Sequence, residues 1–271
     1  MKESLPLFDH PLDAPTAFSP EALVQAVRAD RHLEPEPIPQ VCVLEFDGDL
    51  TDWLVSTGRV RPCRGWACFH TTMFSLEVDG VTCGIVPRTI GGPYAVLVAE
   101  QMAISGARVV LGLTSAGRVS STMPVPGLVA VTRAIRDEGT SYHYLPPAAA
   151  IDAPQEVARL LGSELRALSL PVLSGQVWTT DAPYRETGEQ LAEHAKAGVL
   201  AVEMQAASLF AFSAARRFPV GIVAHVTNSV GQTSKTFGKG VHEQELGILE
   251  AICRAGKRYA SSSNVRRGEG T

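Results

Sequence analysis

Apolar and polar positions along the chain follow two alternating patterns, one typical of strands and one typical of helices. Apolar runs of strand length occupy residues 40–46, 66–76, 77–86, 108–113, 128–132, 171–179, 199–203 and 218–226. Segments with helical spacing of apolar residues lie between or after them, at 50–57, 94–105, 154–167, 188–196, 205–216 and 243–259. This alternation predicts a three-layer α/β sandwich with a mostly parallel or mixed central sheet.

The two ends of the chain differ from this core in composition. Residues 1–39 are rich in proline and charge, and Ser19-Pro20 predicts the start of a short helix. This N-terminal arm either packs on the core or on a neighbouring subunit, or is a partly disordered leader. Residues 40–260 form the predicted domain, and residues 261–271, rich in Ser, Arg and Gly, form a predicted disordered tail.

Polar loops follow several predicted strands, at the edge where open α/β sheets bind ligands. Gly48 lies in the turn after the first strand, and its backbone N–H could bind an anion, although neighbouring aspartates make this turn acidic. Arg88 precedes a Gly-Gly-Pro helix start and could bind an oxyanion through two hydrogen bonds. Thr114 and Ser115 add hydroxyls after another strand. We expect these loops to lie together.

A second polar segment stands at the start of an apolar helix. Glu203, Met204 and Gln205 separate the run Ala201-Val202 from an Ala-rich helix. Polar groups at such a position are costly unless a polar partner meets them, so the segment could contact a polyol such as ribose. It could equally be an amphipathic helix start with its acid near the positive end of the helix dipole.

Composition narrows the classes of function. The 271 residues are 45% hydrophobic and 19% charged, with a net charge of −4, so no broad basic surface predicts binding to nucleic acid. Five cysteines without a CxxC pair predict no disulfide framework and favour a cytoplasmic location. No apolar run reaches membrane-spanning length, so no membrane association is expected. The spacing of Cys63, Cys68 and His70 matches no standard zinc finger, and no metal is predicted.

Five short motifs occur in order on the predicted elements and together resemble one family. They are Ile90-Gly91-Gly92-Pro93, Thr114-Ser115-Ala116-Gly117, Asp137-Glu138-Gly139-Thr140-Ser141, Thr179-Thr180-Asp181 and Val202-Glu203-Met204-Gln205-Ala206-Ala207. Over about residues 40–260 the chain resembles the nucleoside phosphorylase and nucleosidase superfamily, on its uridine phosphorylase-like and hexameric purine nucleoside phosphorylase-like side. The resemblance implies that family's fold, phosphate as co-substrate without a further cofactor, and a homo-oligomer based on dimers, up to a hexamer.

The resemblance also implies a phosphate site, in which this chain departs from the family. Gly48 and Ser115, with Thr114, match the glycine and hydroxyl positions of the family. Two arginines of the family pattern are missing. Asp52 stands at the position of the first, and the position of the second falls near Gly112. Arg88 and Arg118 lie near these positions in the sequence and could compensate.

The implied sugar and base sites are also altered. Glu203, Met204 and Gln205 match the ribose-binding segment, where Gln205 replaces a glutamate, and His70 is a candidate contact from a neighbouring subunit. The implied base site comprises Trp178, Thr180, Asp181 and Tyr184. Asn228 replaces the acid that protonates a purine, which favours a pyrimidine-like or modified base. Asn228 and Arg88 are the predicted catalytic residues.

The resulting hypothesis is an enzyme that cleaves the N-glycosidic bond of a nucleoside with phosphate, giving a base and a sugar 1-phosphate. Loss of the two arginines leaves a phosphate-independent nucleosidase open, with Glu203 or Asp181 as the carboxylate to test. A non-catalytic nucleoside-binding protein with a decayed site is the third alternative. Its supporting features are Gln205, Asp52 and Gly112.

Overall fold

The computed structural model describes residues 5–9, 11–229 and 242–268. The strands are β1 Val41–Glu45, β2 Arg61–Pro62, β3 Phe74–Val78, β4 Val81–Pro87, β5 Val109–Arg118, β6 Gly127–Asp137, β7 Ala150–Asp152, β8 Val172–Thr180, β9 Ala201–Glu203 and β10 Val220–Ser229. The helices are α1 Pro20–Arg31, α2 Asp49–Ser56, α3 Gly92–Ile104, α4 Gln155–Leu165, α5 Gly188–Lys196, α6 Ala206–Arg216 and α7 His242–Gly268.

The strands form one mixed sheet that is partly closed. Their order is β10-β6-β8-β9-β5-β1-β4-β3-β2, with β7 beside β6, and β10 also pairs with β5. That last pairing joins β5, β9, β8, β6 and β10 into a ring. In the described residues β1, β4, β5 and β10 run parallel, so their carboxyl ends share one edge.

Helices cover both faces of the sheet and bury two apolar cores. Strand β1 shows the division, because Cys42 and Leu44 point into one core while Val41 and Val43 point into the other. Helices α3 and α6 close the first core, and α2, α4 and α7 close the second. The three-layer α/β fold with a mixed sheet that the sequence predicts is therefore confirmed.

Several element boundaries differ from the sequence-based prediction. The segment 114–118, expected as a loop, continues β5 because it pairs with β9 and β10. Strand β3 begins at Phe74 rather than Trp66, and the short strands β2 and β7 were not predicted. Helix α7 extends to Gly268, so it overlaps the predicted disordered tail, whose residues 269–271 lie outside the described residues.

The N-terminal arm packs on its own chain. Helix α1 buries Val24 and Val27 against Ala67 and lies beside α3. Arg28 donates to the carbonyl of Gly65 at 3.0 Å, and Arg31 donates to the carbonyl of Cys68 at 2.8 Å. The domain boundaries themselves stay predictions. Within the described part of the chain, no helix combines the length and the hydropathy needed to cross a bilayer.

Candidate functional site

The carboxyl ends of the parallel strands bring most of the predicted phosphate-site residues together. In the pairing register Glu45 of β1 lies beside Leu113 of β5, and Ser115 of β5 lies beside His225 of β10. On the other side of β1, Glu45 pairs with Pro87, the residue before Arg88. The turn after β1, the end of β5 and the end of β10 therefore meet at one edge, as the sequence predicts.

The turn after β1 is tight and requires glycine. Gly48 has a φ of 96°, and a Cβ added there would lie 2.4 Å from Cγ of Arg88. Its N–H donates to Oε1 of Glu45 at 2.6 Å, so the group predicted to bind an anion already has a partner. Thr51 donates to the other carboxylate oxygen of Glu45 through its hydroxyl at 2.9 Å. Burial raises the pKa of Glu45 to about 7, against the effect of these hydrogen bonds.

The hydrogen-bond donors of Ser115, like the N–H of Gly48, already bind a carboxylate. The backbone N–H of Ser115 donates to Oδ2 of Asp47 at 3.0 Å, and its hydroxyl donates to Oδ1 at 2.9 Å. The Ser115 hydroxyl, which the resemblance assigns to phosphate, thus binds a carboxylate of the chain itself, and so does the Ser115 N–H. An anion could reach Ser115 only after the Asp47 side chain moves.

Arg88 stands over Gly48 and is already paired. Its guanidinium donates to the carboxylate of Asp52, and this pair raises the pKa of Arg88. Both side chains are more than half exposed to solvent. Arg88 therefore lies beside Gly48, as predicted. Its positive charge is balanced by Asp52, the residue that stands where the family has an arginine.

A cavity of about 20 Å³ lies between these groups. It is lined by Glu45, Asp47, Asp49, Leu50, Leu113, Thr114, Ser115, His225, Thr227 and Glu245. His225 is only 4% exposed, and its Nε2 has no hydrogen-bond partner among the described residues. Burial lowers the pKa of His225, while the charge of Asp47 acts in the opposite direction. The cavity thus combines several carboxylates with a buried imidazole.

The carboxylate of Glu203 is used inside the protein. Oε1 accepts from the hydroxyl of Thr179 at 2.5 Å, and Oε2 accepts from the backbone N–H groups of Gln205 at 2.7 Å and Ala206 at 2.9 Å. It therefore binds the first N–H groups of α6, as the helix-start interpretation predicts. Burial raises the pKa of Glu203 to about 7, and the charge of Glu138 contributes in the same direction.

Gln205 connects the predicted sugar segment to the phosphate loop. Its Oε1 accepts from the hydroxyl of Thr114 at 3.2 Å and from the N–H of Met204 at 3.3 Å. Thr114 also lines the small cavity, so the amide and the cavity share a wall. Asn228 is half-buried on β10 beside Gly117 and donates to the Thr227 hydroxyl at 3.0 Å. Both amides stand near the edge where the strands end.

The predicted base residues do not form one cluster. Trp178 is buried with Val199 and Val202, and its Nε1 donates to Asp137, so it cannot reach a ligand without moving. Tyr184 is 99% exposed. Thr180 is buried and accepts from the N–H of Ala182.

Asp181 and His70 lie in other surroundings. Asp181 accepts from the N–H of Gly139 at 2.8 Å, burial raises its pKa, and it lines a separate cleft of about 540 Å³ beside α1 and α3. His70 is exposed in the loop before β3, and its carbonyl accepts from the Tyr94 hydroxyl at 3.4 Å. Its suggested role in a neighbouring subunit stays a prediction.

Sequence reasoning missed three residues of the site. Glu45 and His225 were seen only as parts of apolar strands, although a charged or titratable residue within such a run is itself a signal, because burial there is costly. Asp47 was seen only as part of an acidic turn, and its contact with Ser115 requires the fold. Among the described residues, no group of three or more His, Cys, Asp or Glu side chains is arranged to hold a metal ion.

Comparison with known proteins agrees with the resemblance. The family model described as the phosphorylase superfamily matches residues 48–254. A guanosine phosphorylase from Halorubrum lacusprofundi is 27% identical over 156 residues, which cover 56% of this chain and 63% of that protein. The uridine phosphorylase of Escherichia coli is 23% identical over 202 residues, 69% of this chain and 79% of the enzyme. A uridine phosphorylase from Thermococcus kodakarensis is 26% identical over 204 residues, 67% and 74% of the two chains.

Proposed function

Because the chain belongs to the phosphorylase superfamily, we propose that it is an enzyme that cleaves the N-glycosidic bond of a nucleoside. The observation that carries the proposal is the contact between Gln205 and Thr114, which joins the predicted sugar segment to the loop where a nucleophile would bind. A reaction at the anomeric carbon needs these two subsites side by side.

The first candidate nucleophile is inorganic phosphate, which gives a base and a sugar 1-phosphate. Sequence similarity supports it, because the relatives named above are a guanosine phosphorylase and uridine phosphorylases. The placement of Arg88 beside Gly48 also supports it. In this route phosphate displaces Asp47 from Ser115 and takes over the two hydrogen bonds. Asn228 stabilises the charge that builds on the departing base, without donating a proton as an acid would.

The second candidate nucleophile is water, and a specific feature favours it. Asp47 already satisfies both donors of Ser115, and the adjoining cavity is lined by the carboxylates of Glu45, Asp49 and Glu245. Negatively charged carboxylates in the walls of the cavity repel a phosphate dianion. In the hydrolytic route Asp47 stays in place. Glu203 is not the base, because its Oε1 accepts from the Thr179 hydroxyl and its Oε2 accepts from the N–H groups of Gln205 and Ala206.

The identity of the nucleoside is part of the proposal. Asn228 at the position of an acid favours a pyrimidine-like or modified base, since an amide can bind a base carbonyl or ring nitrogen but cannot protonate it. Gln205 can both accept from and donate to a sugar diol, without the charge of a carboxylate. We further propose a homo-oligomer in which His70 reaches a neighbour's sugar site.

A single assay tests these routes. The purified protein is incubated with a panel of pyrimidine and purine nucleosides, with and without inorganic phosphate, and free base, free sugar and sugar 1-phosphate are quantified. Release that requires phosphate supports phosphorolysis, and release of free sugar without phosphate supports hydrolysis. Nucleoside binding without any release contradicts the enzyme proposal and supports the non-catalytic alternative.

A further inference from the structure

We propose that His225 binds the attacking water in the small cavity beside Asp47 and takes a proton from it through Nε2. This inference rests on the proposed function in its hydrolytic form, and it assigns the catalytic base of that reaction. His225 was not among the predicted site residues.

The position of His225 indicates that its imidazole binds a water molecule or a ligand. It lies on β10 beside Ser115 of β5, and its side chain lines the cavity that contains Asp47. The ring is buried, and no described residue offers Nε2 a hydrogen bond. A buried polar atom without a partner is costly, so such atoms commonly bind water or a ligand. His225 lines a polar cavity, and a water molecule there would supply that partner after a small rotation of the ring.

The size of the cavity selects the ligand. A space of about 20 Å³ suits one water molecule, which needs about 10–15 Å³ measured in this way. Phosphate is several times larger and would fit only after displacement of Asp47. The cavity walls also offer a water the hydroxyl of Thr227 and the carboxylate of Asp47, which would fix its orientation.

The charges around the ring suit a base. The carboxyl groups of Glu45 on β1, Asp47 in the following turn, Asp49 on α2 and Glu245 on α7 all line the cavity with His225. Glu245 is itself bonded to His242 at 3.3 Å. Burial lowers the pKa of His225, so the ring is neutral at pH 7 and can accept a proton. The charge of Asp47, which acts on the pKa of His225 in the opposite direction to burial, then stabilises the imidazolium that forms.

The chemical step balances without any further reactant. The water oxygen forms a bond to the anomeric carbon while one of its protons moves to Nε2 of His225. The bond between that carbon and the base nitrogen breaks, and its electron pair leaves with the base, which is stabilised by Asn228 and protonated by solvent. The imidazolium returns its proton to solvent. Thr114 places this water next to the sugar, because it lines the cavity and donates to Gln205.

The test compares His225→Gln with the wild type in phosphate-free buffer. Glutamine can hold a water but cannot take its proton, so kcat for release of free base should fall by about 100-fold or more while KM changes little. Wild-type kcat should also decline at acid pH as His225 becomes protonated, and this decline should disappear in the variant. Glu45→Gln should keep the decline, which separates His225 from the carboxyl group that titrates near it. His32→Gln, the same substitution on the exposed end of α1, should leave activity unchanged.

The outcomes distinguish this inference from the proposed function. An unchanged kcat and pH profile in a folded His225→Gln, with folding checked by thermal unfolding, overturns the role of His225 and leaves the proposed function standing. If the variant does not fold, His225→Asn and the wild-type profile decide, and a wild-type kcat that shows no decline at acid pH overturns the inference. Wild-type release that strictly requires phosphate also overturns it. Absence of release from every nucleoside under both conditions is the separate failure of the proposed function.

Discussion

Replacing Asp47 by asparagine should strengthen the binding of inorganic phosphate. Asp47 occupies both the N–H and the hydroxyl of Ser115, at 3.0 and 2.9 Å, which are the donors that a phosphate would use. The substitution removes one negative charge from the site. It also weakens the hydrogen bonds from Ser115 to residue 47, because an amide oxygen is a poorer acceptor than a carboxylate. Phosphate then displaces a weaker internal ligand and meets less repulsion.

The magnitude follows from the geometry. Two unit charges about 4 Å apart near a protein surface interact by about 4 kcal/mol, and a phosphate on Ser115 would approach Asp47 about this closely unless the side chain rotates away. Rotation into solvent and screening by salt remove much of this repulsion, since Asp47 is only half-buried. A remaining gain of about 1.4 kcal/mol corresponds to a tenfold lower Kd for phosphate.

The assay is phosphate titration by calorimetry, together with the KM for phosphate if turnover depends on it. Asp30→Asn on the exposed face of α1 is the matched control, because it changes the net charge equally without contact with the site. Asp47→Asn should lower the Kd at least about tenfold relative to both the wild type and this control. An unchanged Kd would refute the argument that Asp47 competes with phosphate for Ser115.

Three further predictions concern neighbouring groups. Gln205→Ala removes the buried amide oxygen that accepts from the Met204 N–H and from the Thr114 hydroxyl, which also donates to the Ser115 carbonyl at 2.8 Å. It should therefore lower the free energy of unfolding by about 1–3 kcal/mol and weaken nucleoside binding; unchanged turnover and sugar binding would exclude Gln205 from the sugar site. Arg88→Ala breaks an exposed pair worth less than about 1 kcal/mol, so urea unfolding should barely change while any phosphate KM rises; an unchanged KM would remove Arg88 from the phosphate site. The pKa of Glu203 is about 7 in the folded protein against an ordinary 4.5, so its contribution to stability is full below pH 4.5 and is lost as the pH rises through 7, by up to about 3 kcal/mol. Urea unfolding from pH 4.5 to 8 should show this loss, and Glu203→Gln should reduce it; stability that rises over this range in step with Glu203 would contradict the pKa direction.

The fold could be predicted because its determinants are local and repeated. Strand β1 and helix α3 each show an apolar period that matches the observed element within a few residues. The hairpin of β3 and β4 follows from Asp79-Gly80, where both residues adopt positive φ in the structure. The end of β5 could not be found in this way, because Thr114–Arg118 is polar enough to be a loop and is held as a strand only by pairing with β9 and β10.

The site could be predicted only in outline. Gly48 and Arg88 follow strand ends and Ser115 lies near one, so topology alone predicts that they share one edge of the sheet. Trp178 was assigned to the base site because it precedes a loop motif, but an aromatic residue there can also face an interior cluster, and only the packing with Val199 and Val202 shows that it does. His225 was overlooked because its significance depends on a cavity formed by four separate segments.

The contact between Asp47 and Ser115 has a physical reason that bears on the choice of nucleophile. The backbone N–H of Ser115 needs an acceptor, and the carboxylate of Asp47 supplies it. Phosphate must therefore displace a bonded carboxylate before it gains any hydrogen bond at Ser115. A water molecule in the cavity displaces no carboxylate, and in the hydrolytic route that we propose it takes Nε2 of His225 as its partner. We therefore expect the charge at position 47 to decide whether phosphate or water binds at this site with the lower free-energy cost.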